Sequence, residues 1–126
     1  MSGLHEDGLR GLRILVVEDT LLVADMIVEE LEEAGCTVVG PAPRVERGLA
    51  LARAERLDGA LLDVNLAGEP CFPIAELLLE QGVPFAFLTG YGEATLPACY
   101  RKMPRLAKPF QLDDLVNLVR RNFVKH

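Results

Sequence analysis

The chain has 126 residues, of which 50% are hydrophobic, and its formal net charge at pH 7 is −6. That length suits one domain with its own core, because domains commonly run to about 100–150 residues. No apolar run is long enough to span a bilayer, and the opening residues lack the apolar centre of a secretory signal. The negative charge argues against direct attraction to nucleic acid or anionic lipid. We therefore expect a cytoplasmic protein that binds neither nucleic acid nor membrane.

Five short apolar runs alternate with five helix-like stretches along the chain. The runs predict strands at residues 13–17, 37–40, 59–63, 83–89 and 105–107. Helices are predicted after a cap at Asp19 or Thr20 through Ala34, and at residues 44–56, 73–81, 93–102 and 111–123. The helix at 93–102 is the weakest of these, because Pro97 interrupts it. Apolar strands separated by amphipathic helices predict an α/β fold, with a doubly wound, five-stranded parallel sheet covered by helices on both faces.

The domain boundary is predicted near the N-terminus. Residues 1–11 are polar and glycine-rich, so we expect a flexible N-terminal tail there. Residues 12–126 are expected to form the single domain. Because the fifth predicted helix ends close to residue 126, we expect no second, effector domain.

Polar residues follow four of the five predicted strands. They are Glu18 and Asp19 after the first strand, Asp63 after the third, Thr89 after the fourth and Lys108 after the fifth. In an open parallel sheet, ligands bind beyond the carboxyl ends of the strands. We therefore expect these five residues to converge at one edge of the molecule.

Three carboxylates at that edge require compensation, since two unit charges about 4 Å apart cost roughly 4 kcal/mol at an effective dielectric near 20. Protonation, a cationic side chain or a bound cation can each supply it. Oxygen ligands of this kind suit Mg²⁺, and a carboxylate, a metal and two donors suit phosphoryl transfer with an aspartate as nucleophile. Each residue alone also has a structural interpretation, as a turn cap, a helix-start residue, a strand residue or a surface lysine. Together these interpretations would require four unrelated coincidences, which favours the functional one.

Four segments resemble the signature segments of response-regulator receiver domains, in order and at matching intervals. They read ILVVED, LLDVNL, FLTGYG and LAKPF, and the resemblance covers residues 12–123. It implies a flavodoxin-like (βα)5 fold with strand order 2-1-3-4-5. It also implies a signalling protein rather than an enzyme, phosphorylated by a sensor histidine kinase or histidine phosphotransfer protein and acting on a further, unidentified protein.

The resemblance assigns roles to the residues that match the family's motifs. Asp63 would be the phosphoacceptor, Thr89 would bond the phosphoryl oxygen, and Lys108 would pair with the phosphate. The residues implied to hold Mg²⁺ or Mn²⁺ are Glu18, Asp19, Asp63 and, through its backbone carbonyl, Asn65. The peptide bond between Lys108 and Pro109 would be cis.

One position departs from the family's pattern. Receivers usually carry Tyr or Phe three residues before the lysine, where this chain has Arg105. The segment PFAFLTGYG resembles a subgroup of stand-alone receivers whose motif reads PFxFATGY. We hypothesise that Tyr91, together with Thr89, forms the conformational switch, and that residues 93–103 form the surface that changes. The alternative is that Tyr91 only covers the loop.

Three other functions are open to a fold of this kind. A flavodoxin-type small-ligand module would need a loop rich in Ser, Thr and Gly where this chain has Glu18 and Asp19. An aspartate-based phosphohydrolase is disfavoured because Asp63-Val64-Asn65 departs from the Asp-x-Asp motif of such enzymes. The third alternative keeps the receiver fold but makes the protein a phosphate sink or a binding module that is not phosphorylated.

Overall fold

The computed structural model describes residues 8–90 and 96–124. Five strands form the main sheet, and we number them β1 (Arg13–Val17), β2 (Thr37–Ala42), β3 (Gly59–Asp63), β4 (Phe85–Thr89) and β5 (Arg105–Ala107). The α-helices of the described part are α1 (Leu21–Glu33), α2 (Val45–Ala54), α3 (Phe72–Gln81) and α4 (Leu112–Phe123). A small hairpin pairs Asn65–Leu66 with Glu69–Pro70, and a 3-10 helix covers Ala98–Tyr100.

The main sheet has the order β2-β1-β3-β4-β5, and every neighbouring pair is parallel. The predicted fold class and strand order are therefore confirmed. The register pairs Asp63 with Leu88 and Thr89 with Ala107. Because the strands are parallel and in this register, the carboxyl ends of β3, β4 and β5 lie side by side.

The sheet separates two apolar layers. Alternate residues of β1 point to opposite faces, so that Leu15 and Val17 join the layer under α2 and α3 while Ile14 and Val16 join the layer under α1 and α4. All five residues of β3 and of β4 are buried. This two-sided burial explains why the strands are apolar throughout instead of alternating.

Strand β2 extends to Ala42, two residues beyond the predicted end at residue 40. Pro41, which has no N–H group to donate to a neighbouring strand, lies within this extension. β2 lies at the edge of the sheet, where a missing N–H group leaves no neighbouring strand unsatisfied. The register against β1 also shifts between Leu15 and Val17.

The predicted helix at residues 93–102 is wrong in its described part. Residues 91–95 lie outside the described residues, and the rest contains only the 3-10 helix Ala98–Tyr100, preceded by Pro97 in an extended conformation. A proline ring favours this extended geometry and supplies no N–H group to an α-helix. Thr20 occupies the N-cap position of α1, as predicted, but its side chain makes no capping hydrogen bond.

The N-terminal region packs from before the predicted boundary at residue 12. Leu9 is buried in the layer beside α4, and the N–H group of Gly11 donates to the carbonyl of Gly35 at 2.8 Å. Residues 1–7 of the predicted tail lie outside the described part. Among the helices of the described residues, none combines the length and the apolar character needed to cross a membrane.

Candidate functional site

The polar residues predicted at the strand ends lie at the carboxyl edge of the sheet. Three of them are buried: Glu18 is 2% exposed, Asp63 6% and Thr89 4%. Asp19 is exposed, yet Glu18, Asp19 and Asp63 each offer a carboxylate oxygen within 4.8 Å of the others. The backbone N–H group of Lys108 donates to the carbonyl of Thr89 at 2.7 Å, which places the end of β5 against the end of β4.

Lys108 bridges the two buried carboxylates. Its Nζ atom lies 2.8 Å from Oε1 of Glu18 and 3.1 Å from Oδ2 of Asp63, to which it donates a hydrogen bond. Oε2 of Glu18 accepts the N–H group of Thr20 at 3.1 Å. Oε1 of Glu18 is buried and, within the described residues, has the charge of Lys108 beside it but no hydrogen bond of good geometry. One lysine is therefore shared between two buried carboxylates, with the carboxylate of Asp19 close by.

This crowding shifts the titration of both partners. Burial, and secondarily the charge of Glu18, raise the pKa of Asp63 to about 7, although Lys108 opposes the rise. Burial by itself lowers the pKa of Lys108, but its interactions with the carboxylates of Glu18 and Asp63 more than offset this effect, so that the pKa of Lys108 is raised from its ordinary value. Lys108 therefore stays charged at neutral pH, whereas Asp63 is poised between its protonated and ionised forms.

A short loop after β3 closes one side of the site. The N–H group of Asn65 approaches Oδ1 of Asp63 at 3.4 Å, a long contact, and Oδ1 of Asn65 accepts the N–H group of Gly68 at 2.9 Å. At the tip of the hairpin, the N–H group of Ala67 donates to Oδ2 of Asp19 at 2.9 Å. The loop therefore contacts the carboxylate cluster at two residues, Asp63 and Asp19.

The donor set fits a small divalent cation. Carboxylate oxygens are hard ligands, and a buried oxygen of Glu18 without a hydrogen bond is a group that a cation would satisfy. The residues that would hold the ion are Glu18, Asp19 and Asp63, and Asn65 begins the loop beside them. Mg²⁺ matches such a site because it binds few carboxylates and keeps several waters.

The structure describes only part of the predicted conformational switch. Tyr91 lies outside the described residues. Arg105, which stands where related receivers carry an aromatic residue, is exposed on β5, and its guanidinium donates to the carbonyl of Arg101. The Lys108–Pro109 peptide bond is cis, as the family resemblance implied.

Sequence reasoning missed two features next to the site. The hydrogen bond from Ala67 to Asp19 joins residues 48 positions apart, and no motif indicates it. An open apolar groove of about 440 Å³ also adjoins the site. Its lining consists of Val23, Met26, Ile27, Gly90, Lys108, Pro109, Phe110 and Leu112.

Known proteins resemble this chain over most of its length. The response regulator receiver domain family matches residues 14–120. The transcriptional regulatory protein PdtaR of Mycobacterium tuberculosis (strain CDC 1551 / Oshkosh) is 29% identical over 108 residues, which are 82% of this chain and 53% of PdtaR. The chain spans about half the length of the curated relatives it matches, which also include YbdJ of Bacillus subtilis (53% of YbdJ).

Solved structures give the same result. SdrG from Sphingomonas melonis Fr1 has a TM-score of 0.78 and 37% identity, over 86% of this chain and 93% of SdrG. The BeF3-activated conformation of SdrG from Pseudomonas melonis Fr1 has a TM-score of 0.73 and 37% identity, over 85% of this chain and 92% of that one. The response regulator PhyR from Brucella abortus has a TM-score of 0.79 and 28% identity, over 97% of this chain and 51% of PhyR.

The fold, the carboxylate cluster and these likenesses define a receiver domain of two-component signalling. The chain belongs to the response regulator receiver domain family. Such domains are signalling proteins rather than conventional enzymes, bind Mg²⁺ at an acidic pocket and interact with histidine kinases.

Proposed function

We propose that Asp63 accepts a phosphoryl group from a phosphohistidine of a sensor histidine kinase or histidine phosphotransfer protein. The reaction requires Mg²⁺ or Mn²⁺, and the phosphorylated protein signals by binding a downstream protein. One observation carries the proposal: Asp63 is buried at the carboxyl edge of the sheet, paired with Lys108 and within 4.8 Å of two further carboxylates. Family membership supports it.

In the transfer step, an oxygen of Asp63 forms a bond to phosphorus as the phosphorus–nitrogen bond of the phosphohistidine breaks. The leaving imidazole keeps the electron pair of that bond and takes a proton from solvent. Lys108 already lies beside Asp63 and offsets part of the charge that arrives with the phosphoryl group. When bound, the divalent ion supplies the remaining positive charge.

The proposal is tested by intact mass after incubation with Mg²⁺ and acetyl phosphate. We expect one added phosphoryl group that hydroxylamine removes, and no addition to Asp63→Asn or in excess chelator. Asp114→Asn, an exposed carboxylate on α4, serves as the matched control and keeps the addition. Absence of an adduct from both acetyl phosphate and a phosphorylated histidine kinase would leave the non-phosphorylated binding module as the function.

Thr89 and Tyr91 are proposed as the switch within this function. Thr89 is buried at the end of β4, directly after the residue that pairs with Asp63, and we expect its hydroxyl to bond a phosphoryl oxygen. The structure of BeF3-activated SdrG motivates the use of beryllofluoride here. We expect it to shift the NMR signals of the Tyr91 ring, to change amide exchange in residues 93–103, and to do neither in Thr89→Ala. An unchanged Tyr91 ring would assign it a covering role.

The phosphodonor is proposed to dock on the apolar groove beside α1. The groove is lined in part by Lys108, which pairs with Asp63, so a partner seated there could bring a phosphohistidine to Asp63. Met26→Ser is therefore expected to slow transfer from a protein donor by about tenfold or more, since an interface anchor can contribute over 1 kcal/mol. Phosphorylation by acetyl phosphate would be unchanged. Leu79→Ser, an exposed leucine on α3, is the control that leaves both reactions unaffected.

A further inference from the structure

Asp19 differs from the other two carboxylates of the site. Glu18 and Asp63 are buried and both lie against Lys108, so packing and charge hold their side chains in place. Asp19 is exposed, and its side chain would be free to turn toward solvent if nothing held it. A third ligand of this kind joins the cluster only if another group orients it.

The hairpin after β3 supplies that group. The N–H group of Ala67 donates to Oδ2 of Asp19 at 2.9 Å. Ala67 has φ 53°, a left-handed conformation that costs a residue other than glycine roughly 1–2 kcal/mol. The conformation is maintained by the hydrogen bond from Gly68 to the side chain of Asn65 and by Leu66, which is buried in the core beneath the hairpin.

We propose that the backbone N–H group of Ala67 is a positioning group for the divalent ion. It holds Asp19 toward Glu18 and Asp63, so that the three carboxylates are assembled before the ion binds. The same hairpin begins with Asn65, whose carbonyl is the fourth proposed ligand, so the hydrogen bond connects Asp19 to the segment that carries a ligand from a different strand end. This inference rests on the proposed function, because it assumes that the cluster binds Mg²⁺.

Removal of an outer-shell partner of a metal ligand typically costs about 10- to 100-fold in metal affinity. We expect this effect from Ala67→Pro, because proline has no N–H group and its φ near −65° cannot reach the left-handed region. Ala67→Gly keeps the N–H group and accepts a positive φ, so its Mg²⁺ affinity is expected to stay within about twofold. Ala67→Val keeps the N–H group but strains the tip, and an intermediate loss of affinity is expected.

The experiment measures two quantities on the full chain. Mg²⁺ affinity comes from an NMR titration with the metal alone, and the side-chain rotamer of Asp19 comes from its α–β proton couplings in the metal-free protein. We expect one dominant rotamer in the wild type and in Ala67→Gly, and averaged couplings together with weaker binding in Ala67→Pro. Circular dichroism checks that each variant is folded, and Ala67→Val provides the result if the proline variant is not.

Three results would overturn the inference, and they are distinguishable. Weaker Mg²⁺ binding with an unchanged Asp19 rotamer would mean that the hairpin acts on the ion by another route. Equal affinity in all variants would mean that Asp19 needs no support. If the wild type itself shows no Mg²⁺ binding, the proposed function fails, and the inference fails with it.

Discussion

Two buried regions adjoin strands β3 and β4, and they are built on opposite principles. At the carboxyl edge, Nζ of Lys108 lies within 3.1 Å of a carboxylate oxygen of both Glu18 and Asp63, whose side chains are buried. Along the face under α3, four rings form an aromatic cluster. Their centroids are 5.3 to 6.3 Å apart, in one stacked and several edge-on contacts between Phe72, Phe85, Phe87 and Tyr100.

The aromatic cluster and the charged edge differ in what they contribute to the stability of the fold. Aromatic rings gain free energy from burial and from their mutual geometry, at any pH and without a ligand. Buried carboxylates lose hydration, and their mutual attraction to one lysine only partly offsets this loss. We therefore expect the aromatic cluster to stabilise the fold unconditionally, and the charged edge to depend on protons and Mg²⁺. Four substitutions or conditions test this difference, from the largest effect to the smallest.

Phe87→Ala removes the ring at the centre of the aromatic cluster, where Phe72, Phe85 and Tyr100 all contact it. A loss of about 3–5 kcal/mol in the free energy of unfolding is expected, from lost burial plus the cavity left behind. Urea titrations with and without Mg²⁺ measure it, and the loss is expected to be the same in both. Phe87→Leu, which keeps most of the volume, is expected to cost less. A strong Mg²⁺ dependence of the loss would show that the two regions are coupled.

Lys108→Met removes the cation but keeps the aliphatic part of the side chain. Breaking a buried pair by removing one partner typically costs about 3–5 kcal/mol. Because Lys108 is partly exposed, the expected loss in the free energy of unfolding is about 3 kcal/mol at pH 8 without metal. Added Mg²⁺ is expected to restore part of it, since the ion replaces the missing charge. Lys102→Met, at an exposed lysine, is the control. An equal effect of both substitutions would mean that the edge is solvated and needs no cation.

The pH dependence of the metal-free protein gives a smaller effect. The pKa of Asp63 is raised from 3.8 to about 7, so the folded protein retains a proton that the unfolded chain releases earlier. The stabilisation by this bound proton is fully present below pH 4. It is lost as the pH rises toward 7 and stays constant at higher pH. One pKa unit corresponds to about 1.4 kcal/mol, and relaxation of the site reduces the total loss in the free energy of unfolding to about 2 kcal/mol.

Thermal unfolding between pH 4 and pH 8 measures this effect as the difference between the wild type and Asp63→Asn. The wild type is expected to lose several degrees relative to the variant in chelator, and saturating Mg²⁺ is expected to abolish the difference, because the ion favours ionised Asp63. Parallel pH profiles in chelator would show that Asp63 titrates normally.

The buried sheet and the charged edge could both be predicted from the sequence. The apolar runs of β1, β3 and β4 indicate a sheet buried on both faces, and the carboxyl ends of parallel strands meet at one edge. These two properties of the sheet alone predict that Glu18 and Asp63 lie close together. The charged edge is predictable because its residues follow directly from strand ends.

The features that escaped prediction depend on contacts between distant segments. Pro41 lies inside a strand because β2 is an edge strand, as the predicted strand order implies, but a proline by itself indicates the end of a strand. The stack of Phe72 on Tyr100 joins the start of α3 to a 3-10 helix where an α-helix was expected. Ala67 reaches Asp19 only because the hairpin folds over the site. Local patterns carry no information about such approaches.

The smallest effect is expected at Arg105, which belongs to neither region although related receivers carry an aromatic residue at this position. Its side chain is exposed and donates to a backbone carbonyl, so Arg105→Ala is expected to change the free energy of unfolding by less than about 0.5 kcal/mol. Mg²⁺ affinity is expected to stay constant. Urea and Mg²⁺ titrations check both values, with Arg121→Ala on the exposed surface of α4 as the control. A loss above 1 kcal/mol for Arg105→Ala alone would mean that this position still supports the edge of the sheet. Because residue 105 is an arginine, any aromatic switch in this protein has to act from another residue, and Tyr91 is the residue to test first.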